Sequence, residues 1–294
     1  MSPPKIAVLG EVLFDSFADD VEVLGGAPFN VAWHLQAFQQ PVLFMSRIGQ
    51  DRSADQVLSA FQAWNLNSDY LQRDPIYPTG RVEINLRDGE PQYRILDHQA
   101  YDYIDFSLLT IPQSEWFYHG SLALRHASAT EDFLRWRQAY TGKVFLDINL
   151  RTPWWSHAQL HRLLEGADWL KLNQDELEQL QPQGTNIQNK LQSLFQTFNL
   201  SAILLTQGAE GAELHMADGK MFKVRPQQAP EIFDAVGAGD AFSAICLLGL
   251  ISEWSYEVIM ERAQAFACAI LAQRGAIVTQ RDFYQSFIRQ RRLS

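Results

Sequence analysis

Residues 5–10 read Lys-Ile-Ala-Val-Leu-Gly, a short apolar run that ends in glycine, which is typical of a buried β-strand. Similar apolar runs recur along the chain, at residues 42–48, 116–119, 144–148, 169–172 and 202–206. Stretches with helical spacing lie between these runs, at residues 54–64, 129–140, 188–198, 239–250 and 256–272. Strands that alternate with helices indicate right-handed βαβ units. The pattern therefore predicts a mainly parallel sheet with helices on both faces.

Residues 81–95 break this rhythm. Val82, Ile84 and Leu86 alternate with polar residues, the chain turns at Asp88-Gly89, and a second alternating stretch follows. Alternation on both sides of Asp-Gly predicts a β-hairpin. Together with residues 15–23 it could form a small separate sheet that closes over a ligand, or it could be an ordinary edge hairpin. A further hairpin, around residues 218–219, is assigned to the main sheet.

The composition limits the classes of function. The chain has 294 residues, of which 47% are hydrophobic and 20% charged, and its formal charge is 24 − 34 = −10. This acidic balance argues against a nucleic acid as partner. Cys246 and Cys268 lie in apolar helical patterns without metal-ligand spacing. No signal sequence opens the chain and no apolar run reaches the length of a membrane span, so we expect a soluble, cytoplasmic protein.

The stretch at residues 234–240, DAVGAGD, directly precedes an apolar helical pattern. Small residues at 237–239 allow successive backbone N–H groups to point into one concavity at a helix N-terminus, where the helix dipole also favours an anion. Asp240 at the rim could accept the proton of a hydroxyl group that attacks phosphorus, a reaction that otherwise needs mainly positioning and charge neutralisation. A glycine-rich turn whose aspartate only caps the helix explains the same residues.

A second glycine turn opens another helix. Gly25 and Gly26 permit close approach of a ligand to the backbone, and Asn30 offers both donors and acceptors to sugar hydroxyls. Asp15 follows the first strand, near the carboxyl edge where ligands bind in open α/β sheets. A simple turn with an exposed asparagine, next to a surface aspartate, is the alternative.

Polar residues also follow two later strands. Asn173 and Glu176 lie where a strand ends and a helix begins, so they could hold Mg²⁺ through water, although helix capping explains the same pair. Residues 206–211, TQGAEG, leave the next strand through two glycines, which suits the neighbourhood of a nucleotide. The sequence contains neither a GxxxxGK[ST] phosphate loop nor a GxGxxG turn after its first strand.

In this order, and over nearly the whole chain, the motifs resemble those of the ribokinase-like, PfkB-type carbohydrate kinases. The family signatures GG…N, N-x-x-E, T-x-G-x-x-G, D-T-x-G-A-G-D and R/K-G-A are similar to residues 25–30, 173–176, 206–211, 234–240 and 274–276, with alanine at 235 in place of threonine. The resemblance implies a three-layer α/β/α sandwich with a mainly parallel central sheet and a small β-sheet lid. It also implies a single domain over residues 1–294, with the lid formed by about 12–24 and 79–100.

The resemblance implies a role for each matching position. Asp240 is similar to the catalytic base of the family. The backbone amides that would bind the transferring phosphoryl group belong to Gly237, Ala238 and Gly239. The residues that would bind the sugar are Asp15, Gly25, Gly26 and Asn30. Asn173 and Glu176 would organise Mg²⁺ and its waters. Asp234 resembles a residue associated with a monovalent cation in some members, but the alanine at 235 removes a hydroxyl there and argues against dependence on K⁺.

Within the family the motifs are most similar to those of fructokinases. Residues 25–35 (GGAPFNVAWHL), 117–124 (FYHGSLAL) and 147–151 (DINLR, followed by Trp154) each resemble a fructokinase segment. This match implies a set of nucleotide-binding residues: Asn149, Arg151, Thr206, Gly208, Gly211 and Gly239. Arg151 offers a bidentate fork to phosphate. Tyr93-Arg94 resembles a family pair that meets the sugar, so Arg94 joins the expected sugar site.

We therefore expect an enzyme that uses ATP and Mg²⁺ to phosphorylate a primary hydroxyl of a free sugar, giving fructose 6-phosphate from D-fructose. The alternatives are a kinase of the same family that acts on 2-keto-3-deoxygluconate, another ketose or a nucleoside, and an inactive sugar- or nucleotide-binding regulator. The expected partners are the sugar and ATP, without nucleic acid or membrane. The open edges of the lid could also join two copies in a homodimer.

Overall fold

The computed structural model describes residues 4–17, 21–87, 90–181, 183–226, 232–234 and 236–291. The strands in these ranges are β1 (Ile6–Leu9), β2 (Leu13–Phe17), β3 (Glu22–Gly25), β4 (Val42–Ile48), β5 (Leu71–Arg73), β6 (Gly80–Arg87), β7 (Glu90–Ile95), β8 (Trp116–His119), β9 (Lys143–Asp147), β10 (Trp169–Asn173), β11 (Ala202–Thr206), β12 (Ala212–Met216) and β13 (Met221–Val224). The helices are α1 (Ala27–Ala37), α2 (Arg52–Trp64), α3 (Ala127–Arg137), α4 (His157–Leu164), α5 (Gln174–Leu180), α6 (Ile187–Thr197), α7 (Ala238–Ile251), α8 (Tyr256–Leu271) and α9 (Arg281–Arg291).

Nine strands form one large sheet in the order β13-β12-β11-β10-β9-β8-β1-β4-β5. Neighbouring strands from β11 to β5 pair in parallel, whereas β12 and β13 add antiparallel pairs at one edge. The hairpin around residues 218–219 joins β12 to β13, so its assignment to the main sheet is confirmed. Because the parallel strands all point the same way, their carboxyl ends lie along one edge, where ligands bind in such sheets.

Alternate residues of each central strand enter different hydrophobic cores. Ile6 and Val8 of β1 pack in the core formed with α1, α2, α7, α8 and α9. Ala7 and Leu9 pack in the core formed with α3, α4, α5 and α6. Since side chains of a strand point alternately to the two faces of its sheet, helices cover both faces. The predicted three-layer α/β/α architecture is confirmed.

Four further strands form a small sheet in the order β3-β2-β6-β7. β2 pairs in parallel with β6 and antiparallel with β3, and β6 pairs antiparallel with β7. The small separate sheet expected from the alternating pattern is therefore present. The tip of its hairpin, at residues 88–89, and residues 18–20 of the other segment lie outside the described residues.

Helix α7 is the most apolar of the described helices because it is buried between layers of the fold. Its residues from Ala241 to Gly249 are all buried, and it packs on α8 and on α1. Its length and apolarity remain below what a bilayer crossing needs, and the same holds for every helix within the described ranges.

Candidate active site

Polar residues end three neighbouring parallel strands of the large sheet, and two of them are predicted site residues. Asp147 ends β9, Asn173 ends β10 and Thr206 ends β11. Asn173 and Thr206 are direct partners across the two strands, so the predicted metal and nucleotide positions adjoin. Glu11 lies two residues beyond the end of β1.

Four predicted residues meet around Gly25. A Cβ atom placed on Gly25 would lie 3.7 Å from Asp15 Oδ2 and 3.9 Å from Asn30 Oδ1. Asn30 Nδ2 in turn donates a hydrogen bond of 2.8 Å to Asp240 Oδ2. The structure thus brings Asp15, Gly25, Asn30 and Asp240 together. The glycine keeps the space between these polar groups free of a side chain.

Gly26 joins this group through the backbone. Its φ of 111° suits glycine, and a Cβ there would lie 2.6 Å from the carbonyl oxygen of Glu11. This close approach sets the start of α1, with Asn30 in its first turns, against the segment that follows β1. A larger residue at position 26 would therefore displace Asn30 from Asp240.

The stretch DAVGAGD, which is predicted to bind an anion, leads into the start of α7. Gly237 precedes the helix with a φ of 85°, and a Cβ there would lie 2.5 Å from the Cα of Ala276. The first N–H groups of an α-helix have no acceptor within the helix, so the amides of Ala238 and Gly239 are available to an anion. Asp240 is the third residue of α7 and stands beside these amides.

Asp240 has an unusual acidity for an aspartate. Burial raises its pKa to about 6, and the nearby charge of Asp147 acts in the same direction. The hydrogen bond from Asn30 and the charges of Lys171 and Arg151 lower it again. A carboxylate with this pKa is ionised at neutral pH and accepts a proton more readily than an ordinary aspartate.

Arg151 lies within electrostatic reach of three carboxyl groups of the site. Burial raises the pKa of Asp15 to about 6, and the charge of Arg151 opposes this shift. Arg151 lowers the pKa of Glu11 and of Asp240 as well. Its side chain is exposed, with one contact of 3.3 Å from Nη1 to the carbonyl oxygen of Leu150. A guanidinium in this position can bind a phosphate that reaches Asp240.

The structure does not bring Arg94 to the sugar-side residues. Residues directly opposite across paired strands share a face, which puts Asp15 with Val82 on one face of the small sheet and Glu83 with Arg94 on the other. Arg94 Nη1 lies 3.0 Å from Glu83 Oε2, and the arginine side chain is 73% exposed. We therefore exclude Arg94 from the proposed sugar site.

Asn173 and Glu176 form a reciprocal cap at the start of α5. Asn173 Oδ1 accepts from the N–H of Glu176, and Glu176 Oε2 accepts from the N–H of Asn173, each at 2.8 Å. Glu176 Oε1 also accepts from the N–H of Leu150 at 2.8 Å. Glu176 therefore ties the segment containing Asn149 and Arg151 to the end of β10. Burial raises the pKa of its carboxyl group.

These oxygen atoms have the chemistry that Mg²⁺ prefers. Both oxygens of Glu176 already accept a backbone N–H, whereas Asn173 is exposed. The pair fits an ion held through water molecules better than one bound directly.

The remaining nucleotide-side residues line the turn after β11. Thr206 Oγ1 is 3.5 Å from the carbonyl oxygen of Leu172, and Gly208 and Gly211 adopt φ values of 56° and 94°. A Cβ on Gly208 would meet open space, so this part of the turn leaves room for a ligand. Asn149 also has a positive φ, of 38°, at the end of the neighbouring segment.

Asp234 has a structural function in the described residues. Its Oδ2 accepts from the N–H of Gly275 at 2.9 Å and its Oδ1 from the N–H of Val236 at 3.0 Å. These bonds join the glycine-rich stretch to the turn at residues 274–276. Residue 235, on which the expectation about K⁺ depends, lies outside the described residues.

A buried group that the sequence analysis missed lies directly beneath the start of α7. Asp147 Oδ2 accepts from Lys171 Nζ at 2.6 Å, from Ser243 Oγ at 3.0 Å and from the Tyr118 hydroxyl at 3.1 Å. Lys171 Nζ also lies 3.4 Å from the position of a Cβ on Gly239. We call Tyr118, Asp147, Lys171 and Ser243 the lysine cluster. A lone lysine within the apolar run of β10 was the signal available in the sequence, since a buried lysine needs a partner.

A second missed group, the glutamate cluster, consists of Glu11, Tyr101 and Arg125. All three side chains are buried, and Glu11 Oε2, the Tyr101 hydroxyl and Arg125 Nη1 lack a hydrogen-bond partner in the described part of the chain. The Arg125 guanidinium carbon is 5.4 Å from the centre of the Tyr101 ring. Burial raises the pKa of Glu11 to about 7, and the charge of Asp240 raises it further while Arg151 and Arg125 lower it. Glu11 of this cluster therefore lies within electrostatic reach of Asp240.

Known proteins are similar to this chain over almost its whole length. The fructokinase of Escherichia coli is 27% identical over 93% of this chain and 95% of its own. An aminoimidazole riboside kinase from Salmonella enterica, solved with aminoimidazole riboside and an ATP analogue, has a TM-score of 0.83 at 23% identity and covers 96% of this chain and 99% of its own. A Vibrio cholerae fructokinase, solved with fructose, ADP and a calcium ion, has a TM-score of 0.81 at 23% identity, with coverages of 97% and 99%.

These solved structures agree with this chain in fold over nearly its whole length. The pfkB family carbohydrate kinase profile matches residues 11–282, which extend from Glu11 to α9 and include DAVGAGD. The chain belongs to the pfkB family of carbohydrate kinases.

Proposed function

We propose that this carbohydrate kinase transfers the γ-phosphoryl group of ATP to the O6 hydroxyl of D-fructose, giving fructose 6-phosphate. The observation that carries the proposal is the contact between Asn30 and Asp240 at the start of α7, next to Asp15 and Gly25. It joins a group that can recognise sugar hydroxyls to the proposed base, in the first turn of the helix whose amides are the proposed anion site. The fructokinases among the relatives support fructose as the acceptor.

The sugar binds between Asp15 and Asn30 in this proposal. Asp15 accepts hydrogen bonds from sugar hydroxyls, and Asn30 holds Asp240 while its buried Oδ1, which lacks a partner among the described residues, receives a further hydroxyl. The carboxyl groups of Asp15 and Asp240 lie beside this space. An uncharged ketose therefore suits the site better than a sugar acid, whose carboxylate they would repel.

Asp240 takes the proton of the attacking hydroxyl as its oxygen bonds to the γ-phosphorus. The bond from this phosphorus to the β,γ-bridging oxygen breaks in the same transfer, and ADP leaves. The amides at the start of α7 and the guanidinium of Arg151 stabilise the charge on the transferring group. The predicted nucleotide-binding residues at 206–211 hold ATP beside this point. A magnesium ion would neutralise charge on the ATP phosphates, with Asn173 and Glu176 organising its waters.

The small sheet acts as the lid in the same proposal, because its β2 carries Asp15 to the sugar. Closing such a sheet over the sugar excludes water, which would otherwise compete as acceptor. Its edge strands β3 and β7 offer a second copy of the chain a surface for pairing, so a homodimer through the lid belongs to the proposal. The cytoplasm, where ATP and free sugars occur together, is the proposed location.

The test is a comparison of kcat/KM over a panel of acceptors with ATP and Mg²⁺. The panel contains fructose, a second ketose, 2-keto-3-deoxygluconate and a nucleoside, and the position of the new phosphate is read by ³¹P and ¹³C NMR. We expect the highest kcat/KM for fructose and phosphorylation at O6. A higher value for the sugar acid or the nucleoside, or no transfer to any acceptor, would contradict the proposal.

A further inference from the structure

Two histidines and an aspartate meet away from the phosphoryl-transfer residues. Asp97 and His98 belong to the segment that leaves the small sheet after β7, and His126 directly precedes α3. One donor atom from each of the three side chains lies within 4.8 Å of the other two. The group therefore joins the base of the small sheet to the helical layer of the large one.

The distances resemble those of a metal site before the ion binds. His126 Nε2 lies 3.0 Å from Asp97 Oδ1, and His98 Nε2 lies 3.8 Å from Asp97 Oδ2. Ligand atoms bound tetrahedrally to zinc at their usual lengths are about 3.3 Å apart. Small rotations of the three side chains would bring the donor atoms to that spacing.

Neighbouring residues fix the orientation of the histidines. The Tyr103 hydroxyl lies 2.6 Å from His98 Nδ1, which directs His98 Nε2 towards Asp97. The two imidazole rings stack, with centroids 5.8 Å apart and planes 8° from parallel. His126 Nε2 is a buried atom that makes no hydrogen bond among the described residues, and it lies 3.0 Å from Asp97 Oδ1. Second-sphere contacts of this kind orient histidine ligands in metal sites.

Charge and access also suit a divalent cation. The side chains of His98, Asp97 and His126 are 61%, 39% and 29% exposed, so an ion can enter from solvent. Among the described residues, Arg125 is a cation close to this group, with its Nη2 3.7 Å from Asp97 Oδ1. Its charge is balanced by Asp102, which it contacts at 2.7 Å through Nε and at 2.5 Å through Nη2. The negative charge of Asp97 thus remains for the ion.

We propose that Asp97, His98 and His126 bind a divalent transition-metal ion of the zinc class, with water in the remaining positions. Two imidazole nitrogens and one carboxylate select such an ion over Mg²⁺, which prefers oxygen ligands throughout. The site is separate from the magnesium position proposed at Asn173 and Glu176. Bound metal would link the segment after β7 to the start of α3 and so stabilise the folded protein.

The test uses the full chain, freed of metal by chelation and without nucleotide, in buffer with excess Mg²⁺. Co²⁺ serves as the spectroscopic probe, and Zn²⁺ binding is measured by calorimetry. We expect one equivalent of Co²⁺ per chain, with d–d absorption typical of four or five ligands, and displacement by Zn²⁺. The variant Tyr103→Phe should weaken binding roughly tenfold, as expected for loss of a second-sphere contact.

His98→Gln and Asp97→Asn should abolish the Co²⁺ signal, and both positions are exposed enough to leave the fold intact. The matched control is His161→Gln. His161 is an exposed histidine whose Nδ1 lies 3.4 Å from Glu165 Oε1, so it also pairs with a carboxylate but lies outside the proposed site. The control variant should bind Co²⁺ as the wild type does. Absence of stoichiometric binding, binding that survives His98→Gln, or equal loss in the control would overturn the proposal.

Discussion

Two buried polar clusters lie near Asp240. They differ in whether their buried polar atoms have hydrogen-bond partners among the described residues. In the lysine cluster, Tyr118, Lys171 and Ser243 all donate to one oxygen of Asp147. In the glutamate cluster, each of the three side chains keeps a buried polar atom without a partner among the described residues. Both lie within electrostatic reach of the same aspartate.

The three donors of the lysine cluster all bond to Asp147, whereas the glutamate cluster contains polar atoms without hydrogen bonds among the described residues. A buried polar atom without a hydrogen bond costs free energy, whereas a satisfied network holds its members in one geometry. The lysine cluster therefore supports the start of α7 in advance of any ligand. The glutamate cluster is the part whose polar atoms can gain bonds when a ligand or water arrives.

The largest expected effect comes from dividing the ion pair of the lysine cluster. Lys171→Met leaves the buried carboxylate of Asp147 without its cation, and we expect a loss of about 3–5 kcal/mol in the free energy of unfolding. The double variant Asp147→Asn/Lys171→Met removes both charges and should recover most of the loss. Urea unfolding measures the free energy of unfolding of both variants. A single variant as stable as the double one would show that the pair is not needed.

Removing one hydroxyl from the same cluster should cost less. Tyr118→Phe deletes one of three donors to Asp147, and a hydrogen bond to a charged group contributes about 1.5–3 kcal/mol. We expect a decrease of that size in the free energy of unfolding, with unfolding cooperativity unchanged. Wild-type stability for this variant would contradict the account of a satisfied network.

The pH dependence of kcat/KM measures the pKa of Asp240, the residue that interacts with both clusters. Burial raises its pKa to about 6, so the ionised base is lost as the pH falls through that value. The acidic limb of kcat/KM for the sugar should therefore lie near pH 6. Asp15 titrates in the same range, so Asn30→Ala provides the assignment. Loss of the hydrogen bond that lowers the pKa of Asp240 should move the limb to higher pH, and an unmoved limb would assign it to another group.

The smallest expected effect is that of Tyr101→Phe, the counterpart of Tyr118→Phe in the glutamate cluster. Its hydroxyl has no partner in the described structure, so its removal should leave the free energy of unfolding unchanged or raise it by about 1 kcal/mol. The same unfolding experiment compares the two tyrosines directly. Equal destabilisation by both substitutions would remove the distinction between the clusters.

Motif order predicted the fold and the centre of the site because both depend on where strands end. Asp15 lies in β2 and Gly25 ends β3, whereas Asn30 and Asp240 lie in the first turns of α1 and α7. The structure brings these four residues together. Arg94 shows the limit of this reasoning. A shift of one residue along a strand reverses the face that a side chain occupies, and the pattern alone does not fix it.

Other features depended on contacts between distant segments. Glu11, Tyr101 and Arg125 come from three separate parts of the chain, and none follows a recognisable motif. Asn173 and Glu176 illustrate a different limit, because the same spacing serves a helix cap and a metal position. The structure shows the cap, since each residue accepts the N–H of the other.

The central claim is that Asp240 is the base for phosphoryl transfer, and the variant Asp240→Asn tests it most directly. The substitution keeps the size of the side chain and its contact with Asn30 but removes the proton acceptor. We expect kcat to fall by roughly 10²–10⁴-fold, with binding of sugar and ATP nearly unchanged by calorimetry. Asp55→Asn, which alters an exposed acidic residue in the first turn of α2, is the control and should retain wild-type kcat. A near-normal kcat for Asp240→Asn would contradict the assignment of the base.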